Sequence, residues 1–474
     1  MQKTPVLVLA MLLMTTTTYA DITVKNDNNT DLALSIYNNT ALVKDVRTVD
    51  LPTGKTSILF AGVSEQMRPE TIIVNAEGVT VQEQNYNFAM LSPENVARAN
   101  IGKVVKTILW DQEKAQNIYD KALILDVYAG RPVLKFSYGI EFDFPGRIIW
   151  EKLPENLQTE PSLSLGVETN QDGPKAIELM YLTGGLHWKA NYVAEFMSDN
   201  ELNLKSWVSI NNTSGVDYNQ ARVQIVAGDA NMTFPQTTAR PMVMKAVSFA
   251  AMDNAATGSV AMPVEESVGE YHVYTLPEKI TIANNQTKQV SLLSKNKIKY
   301  QKEYRLSSPL YLNVSNSGGE FKKQNSDVYI KLVNKTESNL GEPLPQGTMR
   351  FYDHDSKGNM LFVGEANLRQ LAVGEEAEMR IGRSFDVSAS GKVVSLQKIT
   401  ENTAEAELNI TFNNAKPENV ALIFDQYINH DWTILSENIK GTKYNAHTMR
   451  WNIDIPAQGT SELKVKVRMV KPNE

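Results

Sequence analysis

Apolar and polar residues alternate with period two through long stretches of this chain, a spacing that puts apolar side chains on one face of a strand and polar ones on the other. Ala404, Ala406, Leu408, Ile410 and Phe412 alternate with Glu405, Glu407, Asn409 and Thr411. Leu463, Val465, Val467 and Met469 alternate with Lys464, Lys466 and Arg468, and Trp451, Ile453 and Ile455 do so with Asn452 and Asp454. These read as half-buried antiparallel strands. A turn at Pro456-Ala457-Gln458-Gly459 leads into the last of them, which predicts an immunoglobulin-like sandwich at the C-terminus.

Helical signals are few. Ser92 before Pro93 and Glu94 reads as a cap and first turn, and Glu113 to Ala122 as a second short helix. Val104 to Trp110, Ala122 to Tyr128 and Val133 to Tyr138, around Gly130-Arg131-Pro132, read as short strands of a small β-subdomain. The expected fold class is mainly β, a multidomain antiparallel sandwich or barrel-like architecture. The expected divisions are a leader at 1–20, an N-terminal β region with the subdomain at 21–150, a central β domain at 151–300 and a C-terminal sandwich region at 301–474. Within the central part, Gln236 to Glu270 trades strand patterns for Ala, Ser, Thr, Met and Pro and is expected to be a mobile loop.

The leader reading rests on Lys3, an apolar run from Pro5 to Met14, and Thr18-Tyr19-Ala20 as cleavage context, so that the mature chain begins at Asp21 after Ala20. That run is about half of the ~20 residues that span a bilayer, and no later segment is an uncharged stretch of that length. The protein is expected to be exported, periplasmic or extracellular, soluble or peripheral, without a span in the mature chain. It has no cysteine, which removes disulfides, thiolate metal sites, a cysteine nucleophile and an acylated N-terminal cysteine. With 47 basic residues scattered among 54 acidic ones and no long basic run, nucleic acid is not an expected partner.

Motifs for catalysis weaken on inspection. Asp353 to Asn359 resembles the start of a calcium loop, but Lys357 stands at a ligand position and Gly364 at the closing one, so a tight turn is the better reading. His187, His272, His354, His430 and His447 lack the spacing of a zinc protease. A Gly-x-Ser-x-Gly elbow and a strand-to-helix phosphate loop are both missing. Met242, Met244, Met252 and Met262 could form a soft ligand set for monovalent copper, with flexible filler the better reading. Neither a cofactor nor a metal is expected.

The most distinctive stretch, Leu182 to Asn231, carries Gly185-Leu186-His187-Trp188-Lys189-Ala190-Asn191-Tyr192, then Asn211-Asn212-Thr213-Ser214-Gly215, then Ala227-Gly228-Asp229. It resembles the domain-of-unknown-function 4139 family, whose pattern has a Gly-Leu-x-Trp-x-Ala-x-Tyr strand, an Asn-x-Ser-Gly turn and an Ala-Gly-Asp/Glu strand end. Ile36-Tyr37-Asn38 and Leu51-Pro52 upstream, with Tyr274 to Pro277 and Gly364-Glu365 downstream, extend the resemblance over nearly all of the mature chain. It implies no activity. Some longer relatives are called mucoidy inhibitors, but those carry a coiled coil, and no sustained heptad pattern occurs here.

Periodicity places Trp188 and Tyr192 on an apolar strand face, hence in the core. Trp207 falls with Asn203, Lys205 and Ser209, opposite Leu202 and Leu204 unless a bulge intervenes, which makes these four the candidate binding residues. A tryptophan on a polar face either binds a glycan or protein or is covered by an adjacent element; both readings stand. The functional expectation is a noncatalytic cell-envelope protein offering β-domain surfaces for binding or assembly, with an envelope protein or glycan as partner. The alternative is an exported hydrolase acting on an envelope polymer.

Overall fold

Strands make up 69% of the computed structural model and helices 3%, so backbone polar groups are satisfied almost wholly between strands. The structure describes residues 21–26, 29–87, 92–152, 160–228, 262–315 and 318–472. The chain divides into two units, and the division does not follow chain order.

The first unit comprises Met1–Trp188, Ile210–Val226 and Thr275–Lys288. One of its sheets orders Asp21–Val24, Gly54–Ala61, Ser162–Thr169 and Val79–Asn87 side by side. A second sheet runs Tyr218–Ala227, Asn29–Ile36, Ala41–Leu51, Gly173–Thr183 and Ile73–Ala76. Alternation sends Ile58, Phe60, Leu163 and Leu165 from the first sheet, and Leu34, Val49, Ile177 and Leu179 from the second, into buried positions.

Two charged residues share those inward positions. Ala41–Leu51 buries every second residue, and the rhythm takes Asp45 and Arg47 in with Val43 and Val49. Arg47 donates from Nε and Nη2 to Asp45 Oδ2 at 3.0 and 2.7 Å, and from Nη1 to the carbonyls of Val24 and Ala61 at 2.8 and 2.7 Å. Its guanidinium carbon lies 5.2 Å from the centre of the Phe60 ring. Asp45 Oδ1 has no hydrogen-bond partner, so the carboxylate relies on Arg47 for its neutralisation.

Four segments meet in a second polar knot, and two of them belong to the distinctive stretch. Asn212 donates from Nδ2 to the carbonyls of Val216 and Ile282 and accepts at Oδ1 from the Ser214 amide and hydroxyl. The Thr213 amide donates to the Gly185 carbonyl at 2.7 Å, the Gly184 amide to the Gln66 carbonyl at 3.0 Å, and the Glu65 amide to the Ser214 carbonyl at 2.9 Å. Gly185 has φ +75°, and a Cβ there would stand 2.7 Å from Ser214 Cα. The glycines and the asparagine of this stretch therefore build a corner of the fold.

Between Val79–Asn87 and Ser162–Thr169, which pair antiparallel, the chain leaves to form the small subdomain. Ser92 caps the helix Pro93–Ala99 by accepting from the Asn95 amide, as its sequence predicts. The subdomain's sheet orders Gly139–Glu141, Arg131–Phe136, Gln116–Tyr128, Val104–Asp111 and Arg147–Ile149. Its core is Val105, Ala122, Ile124, Leu134 and Phe136, with Phe144, Ile148 and Trp150 packed against it. The helix expected over Glu113 to Ala122 is not formed. Asp111 Oδ1 accepts from the amides of Glu113 and Lys114, Ala115 takes φ +48°, and the reversed chain pairs residue by residue with Val104–Asp111.

The second unit comprises Lys189–Ser209, Ala227–Tyr274 and Gln289–Glu474. Its long strands Gln286–Ser307 and Glu376–Thr400 each hydrogen-bond to several partners along their length. Toward the C-terminus, Thr403–Asn414 pairs with Gly459–Val470, and Val420–Tyr427 pairs with Thr448–Ile455. These two pairs face each other across Phe412, Phe424 and Trp451, whose rings stand 5.2 and 6.1 Å apart in succession, which is the packing of a β-sandwich. Of the expected loop, residues 236–261 lie outside the described residues, with Met242, Met244 and Met252 among them. Its last part is not loop: Val264–Val268 is a strand hydrogen-bonded to Tyr271–Thr275.

Removing Arg47 leaves Asp45 charged in the core, so Arg47→Met should cost ~3–5 kcal/mol in urea unfolding, and Asp45→Leu combined with Arg47→Met should recover most of that loss. Asn212→Ala, which strands two carbonyls and the Ser214 amide, should cost ~2–4 kcal/mol, whereas Asn211→Ala should stay within ~1 kcal/mol.

Candidate interaction surface

Asn203, Lys205, Trp207 and Ser209 do share one face of the strand Glu201–Asn212, opposite buried Leu202, Leu204, Ser206 and Val208. Two of the four are committed to neighbours. Asn203 Oδ1 accepts from the Lys297 amide at 3.1 Å, and Ser209 Oγ accepts from Asn191 Nδ2 and Gln289 Nε2 at 3.0 and 3.1 Å. Lys205 points outward and Trp207 is 41% exposed. Trp188 and Tyr192 are buried, Tyr192 donating its hydroxyl to the Pro345 carbonyl at 2.7 Å. Ala20 lies outside the described residues, and Asp21 opens the first strand, paired with Ser57.

The resemblance to a calcium loop resolves into a hairpin turn between Gly347–His354 and Met360–Leu368. Asp355 Oδ1 accepts from the amides of Lys357 and Asn359, and Oδ2 from Asn359 Nδ2, which turns the carboxylate toward its own loop. Among the described residues, no group of three or more His, Asp or Glu is placed to hold a metal ion.

Several carboxylates are held by cations on the surface of the sheets. Arg305 donates to Glu378 at 2.7 Å and holds that carboxyl below its ordinary value of 4.5. Burial acts upward on Asp327, but hydrogen bonds and charge from Arg380 and Arg383 outweigh it and hold the group below 3.8. A general acid of a glycosidase needs the opposite shift, and these pairs cross strands as structural ties.

A broad run of outward apolar side chains belongs to the small subdomain, and strand register fixes its layout. Val105, Thr107 and Leu109 lie on the face of Val104–Asp111 that carries the core; Val104, Lys106, Ile108 and Trp110 lie on the other. Directly across from those four stand Leu123, Lys121, Tyr119 and Asn117. On the opposite flank Ile149 faces Lys106 and Arg147 faces Ile108, while beyond Leu123 the row continues through Lys135 to Ile140. Trp110 is 56% exposed and Tyr119 67%. Val104 and Ile140 are open as well. Much of this side of the sheet is thus open and carries rings, aliphatic side chains and cations, with Val133 buried and Ile108 and Leu123 half-buried on it.

Sequence reasoning found the strands at Val104 to Trp110 and Val133 to Tyr138 and only the second half of Gln116–Tyr128, reading Asn117, Tyr119 and Lys121 into a helix, and it missed the surface. The overlooked signal is that Val104 to Trp110 carries apolar residues on both faces, Val105 and Leu109 on one and Val104, Ile108 and Trp110 on the other, where a half-covered antiparallel strand ordinarily alternates. Only one side is covered here. No family model matches the chain, and no curated protein does.

Trp188→Ala should cost ~3–5 kcal/mol, and Trp207→Ala clearly less, in parallel denaturant titrations. Because the folded pKa of Glu378 is depressed, its stabilisation is complete above the ordinary carboxylate range and is lost as pH falls through the folded value. The melting-temperature gap between the protein and Glu378→Gln, worth under ~1 kcal/mol at neutral pH for so exposed a pair, should therefore close on acidification below about pH 4.

Proposed function

We propose that this chain is an exported, noncatalytic protein of the cell envelope, related to the domain-of-unknown-function 4139 family, that presents β-sheet surfaces for binding or assembly. The observation that carries this reading is the uncovered side of the subdomain sheet around Trp110 and Tyr119. Monomeric soluble proteins rarely leave a contiguous apolar area of that kind in water unless it meets a partner. Export is supported by the leader pattern before Asp21: Lys3, the apolar run Pro5 to Met14 and Thr18-Tyr19-Ala20. The resemblance of Leu182 to Asn231 supports the family reading, and it concerns architecture: its glycines and Asn212 hold a corner together and touch no candidate surface.

Two measurements test this. N-terminal sequencing of protein from envelope fractions should return Asp21, and an intact Met1 form confined to the cytoplasm would defeat the export reading. A photo-crosslinking residue at Tyr119 should give a reproducible envelope adduct that the same residue at Glu418, on an exposed turn of the second unit, does not.

A further inference from the structure

We infer that the open side of the subdomain sheet is a docking face for an anionic lipid bilayer surface; this rests on its being an interaction surface and names the partner's chemistry. Three observations on the same face carry it. Lys106, Lys121, Lys135 and Arg147 all project from it, against a single carboxylate among its paired positions, Asp126 opposite Val133. Lys106 and Lys121 stand directly across from each other, an arrangement of like charges that opposes sheet pairing unless an anion lies between them. An anionic group already sits there: Glu151, beyond the end of the edge strand, reaches Lys106 at 2.8 Å, and hydrogen bonding and charge from Lys106, with charge from Lys121, hold its carboxyl below the ordinary value.

What surrounds the cations decides between classes of anionic partner. A glycan-binding face carries several amide and carboxylate side chains that hydrogen-bond to hydroxyls, and here only Asn117 and Asp126 stand among the paired positions. The rest are Val104, Ile108, Leu123, Ile140 and Ile149 with Trp110 and Tyr119. Aliphatic residues, a tryptophan and a tyrosine set among lysines and arginine suit the boundary between headgroups and acyl chains, where aromatic rings sit at headgroup level and basic side chains reach anionic lipids. No described helix is long and apolar enough to cross a membrane, and a peripheral contact of this kind requires none.

The test is co-sedimentation of the full mature chain with vesicles of phosphatidylcholine mixed with phosphatidylglycerol, against phosphatidylcholine alone, over a range of salt. Binding should require the anionic lipid and weaken as salt rises. Lys121→Gln should lower it about fivefold and Trp110→Ala by at least as much. Both side chains are exposed, so circular dichroism melts of the two variants should match the parent, and Trp207→Ala should bind vesicles as the parent does. Equal binding to both vesicle types, or full binding by Lys121→Gln and Trp110→Ala, would overturn the lipid assignment. So would failure to sediment together with retention on an acidic polysaccharide or an oligonucleotide. If vesicles fail while the Tyr119 crosslinker still gives its defined adduct, the interaction surface stands and the lipid is wrong; if both fail, both readings fall.

Discussion

A buried guanidinium anchors the first unit. Arg47 leaves the strand Ala41–Leu51 on its inward side and hydrogen-bonds to the carbonyls of Val24 and Ala61, which end the strands Asp21–Val24 and Gly54–Ala61 of the facing sheet. One side chain thereby ties both sheets, and Asp45 on its own strand supplies the countercharge. A hydrophobic pair of similar volume would fill the same space at equal or better stability. What it could not do is hydrogen-bond to two carbonyl ends, and so it would not fix where Asp21–Val24 lies along its neighbour. That parallel pairing is only four residues long, from Asp21 with Ser57 to Val24 with Phe60, too short to specify its own register strongly.

The subdomain inherits its placement from that arrangement. Gly54–Ala61 pairs with Ser162–Thr169, which pairs with Val79–Asn87, and the last two strands carry the inserted segment between them. An insertion between adjacent antiparallel strands disturbs neither, because its two ends leave and return side by side. It can therefore keep a small core of its own, Val105 to Phe136, while its other side stays free. With one covered side, a five-stranded sheet of this size has little apolar burial to spare, and the helix Pro93–Ala99 adds only Val96 and Ala97 to it.

Much of the architecture was legible from period-two alternation, because one-sided burial writes itself directly into a strand. The C-terminal sandwich follows from Ala404 to Phe412 and Leu463 to Met469, and both segments pair as their patterns require. Alternation misleads where a position's polarity disagrees with its burial. Asp45 and Arg47 look outward by type and lie inward by place, since their charges are met by each other and by carbonyls far away in sequence. Glu113 to Ala122 has residues that suit a helix, yet pairing with Val104–Asp111 overrode that preference. The family-like motif was read as distinctive without its reason, because the close approach of Gly185 to Ser214 joins segments that share no local pattern.

The candidate surface was hidden for a related reason. A tryptophan interrupting a polar face, as at Trp207, announces itself in one strand, whereas Trp110 shares its face with Val104 and Ile108 and reads as core. What distinguishes core from contact there is the neighbouring row: Lys106 beside Lys121, with Arg147 and Lys135 on the flanks, becomes visible only when register lays the strands together. Four cations among apolar side chains cannot be a covered core, since burying them unpaired would cost several kcal/mol each. Nor is it an ordinary wetted face, with two rings and several aliphatic side chains open to water. The composition fits a boundary between water and an apolar phase, and the sheet, inserted between two paired strands, offers that boundary on its open side.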